Sequence, residues 1–108
     1  MIKMVIKMDE DKILAGKELT LEQIYTALDR IFSKRGMEKK ITERGIEYLG
    51  HENSTDFAYF GKIMLGLKEQ AWFMNNAKTW LFCNSDESDN PNDFNEEDLL
   101  VHYGIKVA

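Results

Sequence analysis

Ile2, Met4, Ile6 and Met8 alternate with Lys3, Val5 and Lys7 at the start of the chain. A period of two puts one set on a buried face and the other outside, which predicts a strand. Asp9 to Gly16 follows as a turn or short helix. The period then changes: Leu21, Ile24, Tyr25, Leu28, Ile31 and Phe32 recur at helical spacing and stop before Gly36. Thr20-Leu21-Glu22-Gln23 has the form of a capping box, in which each end residue's side chain accepts from the other's backbone N–H, and Leu19 is placed to staple onto Ile24. Lys34 and Arg35 suit the negative end of the helix dipole, and Gly36 supplies the stop.

Residues 38–42 and 46–49 predict a hairpin around Glu43-Arg44-Gly45, since Ile41, Ile46, Tyr48 and Leu49 favour extended backbone and Gly45 admits a positive φ. After a loop at His51 to Asn53, Ser54 or Thr55 offers an N-cap and Asp56 a favourable first-turn charge. Residues 55–83 then read as helical, and since one helix of that length would span about 43 Å, a break is expected near Lys68 to Ala71. Gly61 and Gly66 fall inside this pattern and suggest close helix packing, because a mid-helix glycine costs about 1 kcal/mol. A last helix follows: Asn95 caps it, Glu96, Glu97 and Asp98 fill its first turn, Phe94 packs on Leu99, His102 lies in the last turn and Gly104 ends it. The predicted order is β-α-β-β-α-α-α. It describes one α+β domain over residues 1–108, with three or four helices on a small antiparallel sheet made of the N-terminal strand and the hairpin.

Composition narrows the class. The 108 residues are 44% hydrophobic and 31% charged, which suits a folded domain. The net charge of -5 is unevenly spread: residues 1–50 carry ten Lys/Arg against nine Asp/Glu, residues 51–108 four against ten. An acidic chain repels phosphate backbones, which argues against general nucleic-acid binding and permits binding to a basic protein surface. One cysteine excludes an intrachain disulfide and fits a reducing compartment. With no signal-like segment near the start and no long apolar run, the expected location is the cytoplasm, away from membranes.

The acidity concentrates in Asn84 to Asp98, where seven of fifteen residues are acidic and none is basic. Trp72, Phe73, Trp80 and Phe82 precede it. An exposed Trp72 or Phe82 beside Asp86, Glu87, Asp89 and Asp93 would combine an aromatic anchor with a charged rim, a composition suited to binding a protein. Within the same tract Asp86, Ser88, Asn90 and Glu97 stand at places one, three, five and twelve of a calcium loop, but Pro91 replaces the glycine required at place six.

Other constellations are weaker. Cys83 with His102 would form a thiol dyad only if the thiolate were stabilised, and Asp86 and Glu87 oppose that. His51, His102 and Cys83 are too few for a four-ligand zinc site, and no phosphate loop occurs. No cofactor is implied. Arg30, Lys34, Arg35, Lys39 and Lys40 make one basic cluster, either a solvated helix end or a small nucleic-acid-binding patch. No nucleophile, base and orienting group recur at a recognisable spacing, so a non-enzymatic role is expected.

MVIKMDEDKIL, LTLEQIYTALDRIF, FAYFG, LKEQAWFM, TWLFCNSD and DFNEEDLLVHY together resemble a loose group of short proteins carried on mobile elements of Gram-positive bacteria. The resemblance covers most of the chain and brings no catalytic residues with it. It implies an accessory function, with anti-CRISPR proteins the best-known kind: an acidic surface that occupies a basic groove of a host defence protein.

Overall fold

The computed structural model describes residues 1–52, 54–86, 89–90 and 92–105. The first strand, β1 (Ile2–Met8), is followed by two helices, α1 (Glu10–Gly16) and α2 (Leu21–Ser33), and by the hairpin β2 (Glu38–Thr42) and β3 (Gly45–Leu49). Two more helices, α3 (Asp56–Lys68) and α4 (Ala71–Met74), lead into a second hairpin, β4 (Ala77–Asn84) and β5 (Asn95–Asp98), and α5 (Leu99–His102) closes the described chain. The strands form one antiparallel sheet in the order β2-β3-β1-β4-β5. The α+β class, the N-terminal strand and the first hairpin are as the sequence predicts.

Local chemistry explains these elements. The Thr20 hydroxyl accepts from the Gln23 N–H at 3.1 Å, and the Gln23 side chain accepts from the Thr20 N–H at 2.9 Å, so the capping box is complete. At the first hairpin Gly45 has φ +127°, and a Cβ there would stand 2.4 Å from the Ile6 carbonyl. Only glycine fits that close approach. Gly50 is needed for a second reason: a Cβ would meet the carboxylate of the buried Asp56 at 2.7 Å.

Two predicted helical segments are strands. The break after Lys68 is present, but residues 77–84 form β4 rather than continuing a helix. β4 lies between β1 and β5, with Trp80 and Phe82 buried on one face and Cys83 on the other, so its apolar residues run together without the alternation of a half-exposed strand. Phe73, Ala77, Trp80 and Leu81 mimic a helical stripe by coincidence of spacing. Asn95–Asp98 is β5, with Phe82 opposite Glu97 and Cys83 opposite Glu96. Asp98, not Asn95, caps the last helix by accepting from the Leu100 and Val101 N–H groups. Gly61 and Gly66 are likewise not packing positions, for nothing lies within 4 Å of a Cβ built on either.

All five helices place side chains in the core on one face of the sheet. Met4, Ile6, Ile46, Tyr48, Trp80 and Phe82 meet Leu28, Phe32, Phe60, Leu67 and Phe73 there. Phe32 stacks on Tyr48 at 3.8 Å, and Phe73 meets Trp80 edge-on at 5.0 Å. The Trp80 indole N–H donates to the Met4 sulfur at 3.2 Å, so the buried ring keeps a partner for its polar atom.

Among the described residues the opposite face carries no helix. Val5 and Cys83 are 0% exposed yet stand apart from the main core. Charged side chains close this face: Lys3 donates to Glu47 at 2.8 Å, Thr42 to Glu47 at 3.0 Å, and Arg44 to Glu96 at 2.8 Å. Lys3 also lies over the Phe94 ring at 4.2 Å, where the sequence placed Phe94 against Leu99.

Candidate functional site

The acidic tract is the connection between two paired strands. β4 ends at Asn84, β5 begins at Asn95, and the loop between them leaves one edge of the sheet. Side-chain oxygens of asparagine shape it: Asn84 accepts from the Asp86 N–H at 2.8 Å, and Asn90 from the Asn92 N–H at 2.9 Å. Such local bonds hold turns without a packed core. Asp86, Asp89 and Asp93 are exposed. Asp86 accepts from the Met1 amino group at 2.5 Å. Glu87 lies outside the described residues.

Several carboxylates of the tract have structural work. Glu96 binds Arg44, Glu97 meets His102 at 3.1 Å, and Asp98 caps α5. Glu96 and Glu97 are exposed as well as bonded, so they share the outward-facing acidic surface with Asp86, Asp89 and Asp93 of the loop.

The aromatic residues are placed differently from the sequence expectation. Phe82 is 8% exposed, on the covered face of the sheet, so its ring is no surface anchor. Trp72 is half-buried in α4, its indole N–H donating to Gln70 at 3.1 Å. It also precedes β4 while the acidic loop follows it, and eight strand residues separate the two by roughly 25 Å at about 3.3 Å per residue. The expected juxtaposition of Trp72 with the acidic tract is therefore absent.

Phe57 takes that place. It is 62% exposed and meets Phe82 edge-on at 6.1 Å, beside the strand position where Phe82 faces Glu97. Leu65 and Ala58 are also exposed on α3, and the vacant Cβ positions of Gly61 and Gly66 flatten the same helix. α3 thus carries apolar residues on two sides: Phe60, Ile63 and Leu67 face the core, while Phe57 and Leu65 face outward. A Phe57-Gly61-Leu65 row at i, i+4 and i+8 was the available sequence signal.

The alternative sites fare as follows. A calcium loop needs two flanking helices, whereas this loop joins antiparallel strands, and the Glu97 carboxylate lies against His102. Asp86 and Asn90 have local roles, and Ser88 lies outside the described residues. Among the described residues no three His, Cys, Asp or Glu side chains converge on a point suited to a metal. Cys83 is in mid-sheet rather than at a helix end. Burial, and then the negative charge and hydrogen bond of Glu96 at 3.5 Å, push its thiol up to about 12. That removes the thiolate a nucleophile needs.

The basic cluster is dispersed and partly used internally. Lys39 pairs with Asp29 at 2.9 Å, and the Arg35 guanidinium lies over the Tyr59 ring at 4.6 Å. Asp29 also accepts from the Tyr48 hydroxyl at 2.8 Å, tying α2 to β3. Arg30 lines a separate shallow cleft on α2, with Thr20, Gln23 and Thr26. Lys34 and Lys40 remain exposed.

No helix among the described residues is long and apolar enough to cross a membrane. No family model, curated protein or solved structure matches the chain.

Proposed function

We propose that this chain is a non-catalytic protein-interaction module whose acidic β4–β5 loop engages a basic protein surface. The single observation that carries this reading is the position of Asp86, Asp89 and Asp93: exposed, in a hairpin loop beyond the sheet edge, with Phe57 exposed near the base of the same hairpin. Carboxylates at a loop tip steer a positively charged partner over distances of about a Debye length, and a nearby aromatic ring supplies desolvated contact area once it arrives. Glu87 adds a fourth carboxylate in sequence. A basic groove that otherwise holds nucleic acid is the surface such a loop suits best. Inhibition of a nucleic-acid-binding host defence protein, of the CRISPR type, is the finer form of this proposal, and the cytoplasm its setting.

The test is capture from a Gram-positive bacterial lysate on tagged native protein and on a variant with Asp86, Glu87, Asp89 and Asp93 changed to the corresponding amides. A basic nucleic-acid-binding protein held by the native form alone, and displaced by a DNA or RNA oligonucleotide, is the expected outcome. Retention of the same proteins by both forms would contradict a role for the loop.

A further inference from the structure

Among the described residues the sheet has a free edge at β2, on which the helical layer is incomplete. Ile41 stands in the row Ile6-Ile46-Ile41, on the face that the helices cover, yet it is 75% exposed, the highest value among the large apolar side chains described. An open cleft of about 680 Å³ lies over it, bordered by Met8, Tyr25, Lys39, Glu43 and Lys78. The Tyr25 hydroxyl donates to Glu10 at 2.5 Å and so holds one wall of this cleft together.

The backbone at this edge is also open. The Gly50 N–H donates to the Ile2 carbonyl at 2.9 Å, so even-numbered residues of β3 bond to β1 and odd-numbered ones to β2. Lys39 and Ile41, opposite Tyr48 and Ile46, therefore turn their N–H and C=O groups away from the sheet. Free groups of this kind are a template for another strand.

We propose that β2 pairs with β2 of a second copy of this chain, antiparallel, about a two-fold axis at Ile41. Charge selects the occupant and the register. Centring the pair on Lys40 would oppose two Lys40 side chains, and centring it on Lys39 would oppose two Lys39 side chains. With Ile41 at the centre, Lys39 faces the second copy's Glu43, Lys40 faces Thr42, and Glu38 lies toward Arg44. Opposite charges then meet and like charges do not. The two exposed isoleucines cover each other, the two open clefts join above them, and Ile41 exchanges both backbone hydrogen bonds with its equivalent. The symmetric contact closes on itself, giving a dimer with a ten-stranded sheet. A five-residue edge makes a small, weak interface. This inference is independent of the acidic loop at the far edge.

Sedimentation velocity of the native chain from about 10 μM to about 1 mM covers the range in which so small a contact dissociates. The expected result is a monomer–dimer equilibrium that Ile41→Lys weakens by about tenfold or more while circular dichroism shows the fold retained. Glu43→Lys, at an exposed turn position, should weaken it further in the register given. A native chain that stays monomeric across the range overturns the proposal, as does a dimer that Ile41→Lys leaves unchanged.

Discussion

On its helix-covered side the sheet buries Met4, Ile6, Tyr48, Trp80 and Phe82 against apolar side chains, whereas on its other side Val5 and Cys83 are equally inaccessible beneath Lys3, Glu47, Arg44 and Glu96. The first side excludes water with aromatic and aliphatic volume. The second uses long polar side chains whose heads are mutually bonded while their stems lie over the apolar residues. Glu47 shows what this requires. Burial opposes its charge, but the hydrogen bonds from Lys3 and Thr42, together with the charges of Lys3 and Arg44, outweigh it and hold the carboxyl below the usual range. A single helical layer suffices for this sheet because its uncovered face is closed by paired charges.

The largest contrast should come from the apolar side. Trp80→Ala removes a ring that is fully buried and in contact with Phe73, Tyr103 and Met4, and should cost about 3 to 5 kcal/mol in denaturant-induced unfolding. On the ionic side, Glu47→Ala leaves Lys3 and Thr42 without their shared acceptor and should cost about 2 kcal/mol. The pH dependence separates the two chemistries. Because the folded carboxyl of Glu47 titrates below the unfolded one, its contribution is complete above about pH 5 and is lost as pH falls through the folded value. The stability gap between native protein and Glu47→Gln should therefore narrow on acidification, and a gap independent of pH would contradict the ionic closure.

Smaller effects test the margins of each side. Gly61→Ala, in a helix interior with open space at the Cβ, should raise stability by about 0.5 to 1 kcal/mol, measured by thermal unfolding. A loss would mean that the outer surface of α3 is covered. Arg44→Ala should cost no more than about 0.5 kcal/mol, because both it and Glu96 are more than a third exposed and solvent screens the pair.

Legibility in the sequence followed burial geometry. β1 carries its apolar residues at every second place and α2 at helical spacing, so alternation, helical spacing and the Thr20–Gln23 box marked them, while the turn residue Gly45 marked the first hairpin although β2 buries no side chain. β4 is enclosed between β1 and β5, and its Trp80, Leu81, Phe82 and Cys83 form an apolar run without a strand period. β5 consists of polar residues whose strand state depends on pairing with β4, and local rules assign Asn95 to Asp98 to a helix start. The acidic loop was visible as composition. Its aromatic neighbour was not, because Phe57 becomes close to the tract only through the packing of α3 on β4, a contact between distant parts of the chain.

The most direct test of the functional account is the affinity of the captured basic partner for the native chain and for the form with Asp86, Glu87, Asp89 and Asp93 as amides, compared over a range of ionic strength. Native binding should weaken steeply with salt, chiefly through slower association, and the neutralised form should bind about tenfold more weakly with little salt dependence. Equal affinities with parallel salt dependence would contradict a role for the loop.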